Sequence, residues 1–248
     1  MIEKAIRNIL IRTIGFESYL ELVSGVYLRL VSNGLLKEKY AELFYLEKII
    51  KPGYVCLDIG ANVGYYSVFM SKYAGETGVV HAVEPVALFA KIFRKNTSKY
   101  GGKNIILHET ALGKSSGTLL MGTPLVDGVL RHGLTHVLAN QEDSTGMQTY
   151  QVPVSVPDEL FASLKRLDFV KCDVEGYETE LFPLFLETLK RFKPLIQIEI
   201  SGKENIQKML HILLPLGYKP HGLNNGRLLE MRNEAALLYE KDFYFIYL

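Results

Sequence analysis

An excess of one charge is what this sequence most conspicuously lacks. Its 28 Lys and Arg face 27 Asp and Glu, a formal net charge of +1 over 248 residues. That balance gives no long-range field to hold a phosphate backbone, so nucleic acid is not the expected partner. Cysteine is nearly absent too. The two present, Cys56 and Cys172, lie in separate apolar runs and form no C-x-x-C pair. They read as buried free thiols in a reducing, cytoplasmic setting. Long hydrophobic runs are missing: no stretch approaches the ~18 apolar residues of a spanning helix. Near the start, Glu3, Lys4, Arg7, Arg12 and Glu17 break up the segment before it reaches the length of an export signal. No internal repeat is visible. With 48% hydrophobic and 22% charged residues, the composition is that of one globular α/β core.

Residues 1–50 read as a helical extension. Ile6, Ile9, Leu10, Thr13 and Ile14 recur at helical spacing, as do Tyr19, Leu22, Val23, Val26, Tyr27 and Leu30. A third helix is expected from Lys37 to Ile50, stopped by Pro52-Gly53. These helices either pack over a sheet or present an amphipathic face to a membrane surface or a second copy; Lys4, Arg7, Arg12 and Arg29 keep the latter open. Residues 51–248 form the main domain. Five short apolar runs, at 54–58, 78–84, 104–108, 167–173 and 194–200, alternate with helical segments starting near Asn62, after Glu84 and at about Glu178. That rhythm predicts a doubly wound parallel sheet covered on both faces. The chain then finishes with strands at 218–221, 227–231 and 242–248, the first two joined by Asn224-Asn225-Gly226, which points to antiparallel pairing. Residues 114–157 read as an irregular insertion rich in Gly, Ser and Thr, and an insertion that long is expected to serve the substrate.

The sharpest motif is Asp58-Ile59-Gly60-Ala61-Asn62-Val63-Gly64 at the end of the first run. Gly60 permits positive φ in a tight turn, and Gly64 lets the next helix approach a ligand. That helix start points N–H groups at a carboxylate, while Asp58 accepts from an ammonium group. A ligand with an amino-acid end and a nucleoside suits this pair; a pyrophosphate would be repelled by Asp58. Twenty residues past Gly64, Glu84 stands where an acid reaches both hydroxyls of a ribose. Beside the next strand end, the Ala111 amide and the Thr110 or Glu109 side chain are candidate adenine contacts.

A second segment, Asp168 to Glu178, puts Asp173 and Glu175 at another strand tip, with Gly176 turning the chain and Glu199 joining the rim. These acids read three ways: a general base for a substrate hydroxyl, oxygen ligands for Mg²⁺, or partners of backbone amides and Lys171. His132, in the insertion, is a further candidate base, since imidazole titrates in the right range. His132 and His136 lack a third ligand, so no metal site is assigned.

The runs VCLDIGANVGYYS, VVHAVEP, ETALG, DFVKCDVEGYETEL and PLIQIEI, spanning Tyr54 to about Ser201, together resemble the FkbM family of methyltransferases. The resemblance implies a Rossmann-like, mostly parallel seven-stranded sheet, S-adenosylmethionine as methyl donor, and transfer to oxygen, often a sugar hydroxyl. It implies cofactor contacts at Asp58, Gly60, Asn62, Gly64 and Glu84, and a site-forming segment of Lys171, Asp173, Glu175 and Gly176. The expected activity is O-methylation of a sugar, glycan or glycosylated natural product, with Asp173 or Glu175 as base. Three rivals stand beside it: a methyltransferase for a non-sugar small molecule, an NAD-dependent oxidoreductase, and a nucleoside-binding module without catalysis. Asp58 and the antiparallel finish weigh against the oxidoreductase.

Overall fold

The computed structural model describes residues 2–126, 129–138 and 141–248. Two helices, α1 (Ile2–Ser32) and α2 (Ala41–Ile49), precede the alternating part. That part runs β1 (Val55–Ile59), α3 (Tyr65–Ala74), β2 (Val79–Val83), α4 (Ala87–Tyr100) and β3 (Ile105–His108). Five short or paired strands follow: β4 (Ala111–Leu112), β5 (Gly117–Val126), β6 (Val129–Leu130), β7 (His136–Val137) and β8 (Met147–Ser155). After α5 (Pro157–Leu160) come β9 (Phe169–Cys172), α6 (Glu178–Leu181), α7 (Leu186–Phe192), β10 (Leu195–Ile198) and α8 (Lys203–Leu213). The chain ends with β11 (Tyr218–Asn224), β12 (Arg227–Glu230), α9 (Asn233–Ala236) and β13 (Phe243–Tyr247).

The main sheet has the order β12-β11-β13-β10-β9-β1-β2-β3. β10, β9, β1, β2 and β3 are parallel, and β13, β11 and β12 pair antiparallel. The sheet is thus the Rossmann-like, doubly wound one expected, with eight strands where seven were implied. The eighth is β12, folded back by Asn225 (φ 48°) and Gly226 (φ 71°), a two-residue turn whose positive φ values match the twist of a hairpin. Burial on both faces follows from alternation along single strands. Cys56 and Phe169 pack under α2 and α3, whereas Leu57 and Val170 face the helices on the other side. Both cysteines are buried free thiols.

Four expectations change in detail. The helix after the glycine loop starts at Tyr65 rather than Asn62, because Asn62 (φ 49°) and Gly64 (φ 91°) are left-handed. The helix expected over 178–191 is broken, since Pro183 in a 3-10 turn interrupts it between α6 and α7. α1 bends at Gly15 (φ 79°, ψ 161°), where the two expected helices meet. The insertion is not irregular. β5 and β8 form a long antiparallel hairpin, from Gly117 opposite Val154 to Pro124 opposite Met147, with β4, β6 and β7 added. Pro124 and Pro153 inside those strands obscure the pattern in sequence, since proline weakens a strand reading.

Candidate active site

Three strand tips converge at the carboxyl edge of the parallel strands, where open α/β sheets hold ligands. The turn after β1 is tied to β2, because Gly60 and Ala61 donate to the Val83 carbonyl at 3.1 and 3.0 Å. Gly60 has φ +80°, and a Cβ there would lie 1.8 Å from the Asp173 carbonyl oxygen. Only glycine fits both the conformation and the contact. The Glu84 carboxylate, buried at the tip of β2, accepts from the Asn62 amide at 2.9 Å and the Val86 amide at 2.8 Å. Each oxygen has accepted one amide and keeps a further lone pair, so the acid can still accept from hydroxyl donors. Burial pushes its pKa up to about 7 against those two amide bonds.

The cleft between this edge and the hairpin encloses about 760 Å³, counted out to its open mouth. Gly60, Asn62, Glu84, Ala111, His132, Asp173 and Glu175 line it, so seven of the expected site residues come together. Asp58, Gly64 and Thr110 stand behind it. Asp58 is buried and accepts from the Ser67 hydroxyl at 2.5 Å. Burial raises its pKa to about 6, with the Ser67 bond and Lys171 acting against that rise. The missing side chain of Gly64 makes room for the Phe93 ring, 2.9 Å from a hypothetical Cβ, rather than for a ligand. Thr110 directs its hydroxyl to the carbonyls of Ala111 and Pro153 and to Ser155. Glu109 is drawn outward by Arg94. Phe89, Pro85, Leu112 and Met121 complete an apolar wall that sequence spacing did not single out.

Asp173 and Glu175 form the opposite wall. Glu175 is held at φ 50°, an uncommon state for a residue with a side chain. The neighbouring turn is held by Glu178, whose carboxylate accepts from the Val174 and Gly176 amides, both at 3.2 Å. Burial, then the nearby charges of Asp173 and Glu199, raises the Glu175 pKa to about 7. Beneath the rim, the fully buried Lys171 ammonium lies 3.5 Å from Asp173 and 3.8 Å from Asp242. It also sits 5.0 Å from the centre of the Tyr66 ring. Burial opposes its charge, but Asp173 and Asp242 hold its pKa well above the ordinary value. Gln197, beside Lys171 in register, donates to Asp242 at 2.7 Å. Polar Lys171 and Gln197 in the middle of apolar strands were the signal for this network; the partner Asp242, distant in sequence, carried none.

The hairpin closes the cleft from above. His132 Nδ1 lies 3.0 Å from Asn62 Oδ1, while Asn62 Nδ2 donates to the His132 carbonyl at 3.1 Å. An amide oxygen only accepts, so Nδ1 carries the hydrogen and Nε2 keeps its lone pair. Burial lowers the imidazole pKa to about 4, which leaves the ring neutral near pH 7. His136 is half-buried, and its ring Nδ1 lies 2.9 Å from the Leu134 carbonyl oxygen. Among the described residues, no group of three His, Cys, Asp or Glu is placed to hold a metal ion.

Residues 58–220 match the model of the methyltransferase FkbM domain. The chain belongs to that family. Its family is one of methyltransferase domains. The structure of methyltransferase FkbM from Methylobacillus flagellatus KT superposes with a TM-score of 0.53 at 13% identity, covering 95% of this chain and 59% of that one. The chain therefore spans less than two thirds of that longer protein. Precorrin 8w decarboxylase from Methanobacterium thermoautotrophicum gives a TM-score of 0.48 at 12% identity, over 84% of this chain and 90% of that one. The first likeness is one of fold. No curated protein matches.

The cleft suits S-adenosylmethionine, the donor that the sequence resemblance implies, on three counts. Glu84 offers a paired acceptor for a ribose diol, Phe89, Ala111 and Leu112 offer an apolar slot for a purine, and the Asp173–Glu175 wall favours a sulfonium cation.

Proposed function

We propose that this FkbM-family methyltransferase modifies a hydroxyl oxygen of a sugar or glycan. When bound, the donor supplies an electrophilic methyl group on positively charged sulfur. Gly60, Asn62, Glu84 and Ala111 hold it; Asp58 and Thr110 act from behind, by fixing the turn and the strand exit. Glu175 takes the proton of the acceptor hydroxyl. A base works best with a pKa near the working pH, and Glu175 is pushed up to about 7. Asp173, paired with the Lys171 ammonium, orients the hydroxyl and screens the cation. The neutral His132 Nε2 is a second acceptor across the cleft. A sugar is favoured because the mouth combines carboxylates that accept from hydroxyls with the Tyr177 ring, an apolar face on which a pyranose stacks.

The observation that carries the reading is the meeting of Glu84 and Glu175 on the walls of one cleft. Incubation with S-adenosylmethionine and a panel of sugars should give S-adenosylhomocysteine together with a product heavier by one methylene. Glu175→Gln should lower kcat about 10²-fold or more with S-adenosylhomocysteine binding kept. An unchanged rate in that variant, with loss in His132→Ala, would move the base to His132. No turnover on any glycan, with turnover on another class of hydroxyl, would end the sugar assignment.

A further inference from the structure

Beyond the bend at Gly15, α1 has two apolar faces. The inner one buries Leu20, Leu28 and Val31. It is fixed in place by Asn96 donating to Ser24 at 3.0 Å, and by Lys91–Glu17 and Lys95–Glu21 ion pairs at 2.7 and 2.5 Å. The outer one carries Leu22, Val23, Val26 and Leu30, exposed by 50, 39, 52 and 37%. Positions 22, 26 and 30 are successive turns of one stripe. Before the bend, Ile9 and Ile14 are exposed as well, by 61 and 43%. A helix already seated on its protein through one face does not need a second apolar face for folding.

The charges around the stripe choose its occupant. Both acids of the helix's described side chains, Glu17 and Glu21, are paired inward to α4. Arg12 and Arg29 are exposed, Arg29 next to Leu30 at the end of the stripe, and neither enters an ion pair among the described residues. The turn after the helix adds Lys37, Glu38 and Lys39, all exposed, for one further net positive charge. Packing two copies of the stripe would set arginine against arginine with no carboxylate between them, which is unfavourable. An anionic lipid surface complements both the apolar stripe and its cationic border. No helix among the described residues is long and apolar enough to cross a membrane, so the contact is lateral. The bend lies at the cleft end of the sheet, since Phe16 and Leu20 share a cluster with Val63, Phe89 and Ala111.

We propose that the outer face of α1 docks this methyltransferase on an anionic phospholipid surface, with the cleft brought to the headgroup layer. The inference is independent of which acceptor is methylated. The experiment is flotation of the full chain with vesicles of phosphatidylcholine alone and of phosphatidylcholine with a quarter phosphatidylglycerol. Binding is expected on the anionic vesicles, weaker at 0.5 M salt. The double variant Leu22→Ser with Val26→Ser should abolish it while S-adenosylhomocysteine affinity is retained, which shows that the fold is intact. Arg12→Ala with Arg29→Ala should weaken binding about tenfold. Equal binding to both vesicle types, no flotation at all, or a concentration-dependent dimer dispersed by the Leu22 and Val26 substitutions would overturn the proposal.

Discussion

Lys171 shows how one residue sets the properties of its neighbours. Its charge is buried beneath three rim acids and counted among the influences on Glu175, whose pKa it lowers. Lys171→Met should therefore raise the Glu175 pKa, and the acid limb of the kcat/KM profile should move from near pH 7 upward by about one unit. A purely structural role would lower stability and leave the limb in place. Gly60→Ala tests a different constraint. A methyl group at positive φ, 1.8 Å from the Asp173 carbonyl, cannot be accommodated without moving β1 or β9. A loss of about 3 kcal/mol or more is expected in urea unfolding. The need for glycine at 60 was legible in the sequence as a turn requirement. The contact with Asp173 was not, because it joins residues on different strands. Gly64 was legible too, but for the wrong partner: Phe93 lies beside it, and nothing in the local spacing announces a packing contact from another helix.

Between elements, the decisive contact is the clamp from the hairpin to the turn after β1. Asn62 holds His132 with its side chain and Glu84 with its amide. Asn62→Ala should release residues 131–135, seen as faster amide exchange there, while protection in the β5–β8 ladder stays unchanged. Equal exchange in both proteins would show that the hairpin holds its own position. The alternating strands and helices were readable because apolar runs of five to seven residues, alternating with helical segments, leave few alternatives. The hairpin was unreadable for a physical reason. Its stability comes from long-range pairing, and its strands carry Gly122, Pro124 and Pro153, which blur period-two alternation. Broken α6 and α7 differ from the expected single helix for the opposite reason: Pro183 was visible, yet the apolar pattern continues across it.

For the molecule as a whole, the buried acids set a pH dependence whose sign can be worked out. Glu84 and Glu175, raised to about 7 from 4.5, bind more protons folded than unfolded. The stability linked to them is complete below about pH 4.5 and is lost as pH climbs through 7. His81 and His132, lowered to about 4 by burial, act in the other direction, mainly below about pH 6.5. From pH 6.5 to 8 the acids outweigh the fading imidazole contribution, so Tm of the ligand-free protein should fall across that window. Glu175→Gln should remove part of the fall, and a flat or rising Tm in the wild type would contradict the assignment of both acids.

The seam between Gly60 and the Asp173 carbonyl bears on how the protein responds to loading. No side chain cushions it, so the two backbones touch as rigid stops. With no room between them for even a methyl group, a displacement of the turn after β1 toward β9 has to be matched by one at the tip of β9, so the two walls of the cleft are expected to move together.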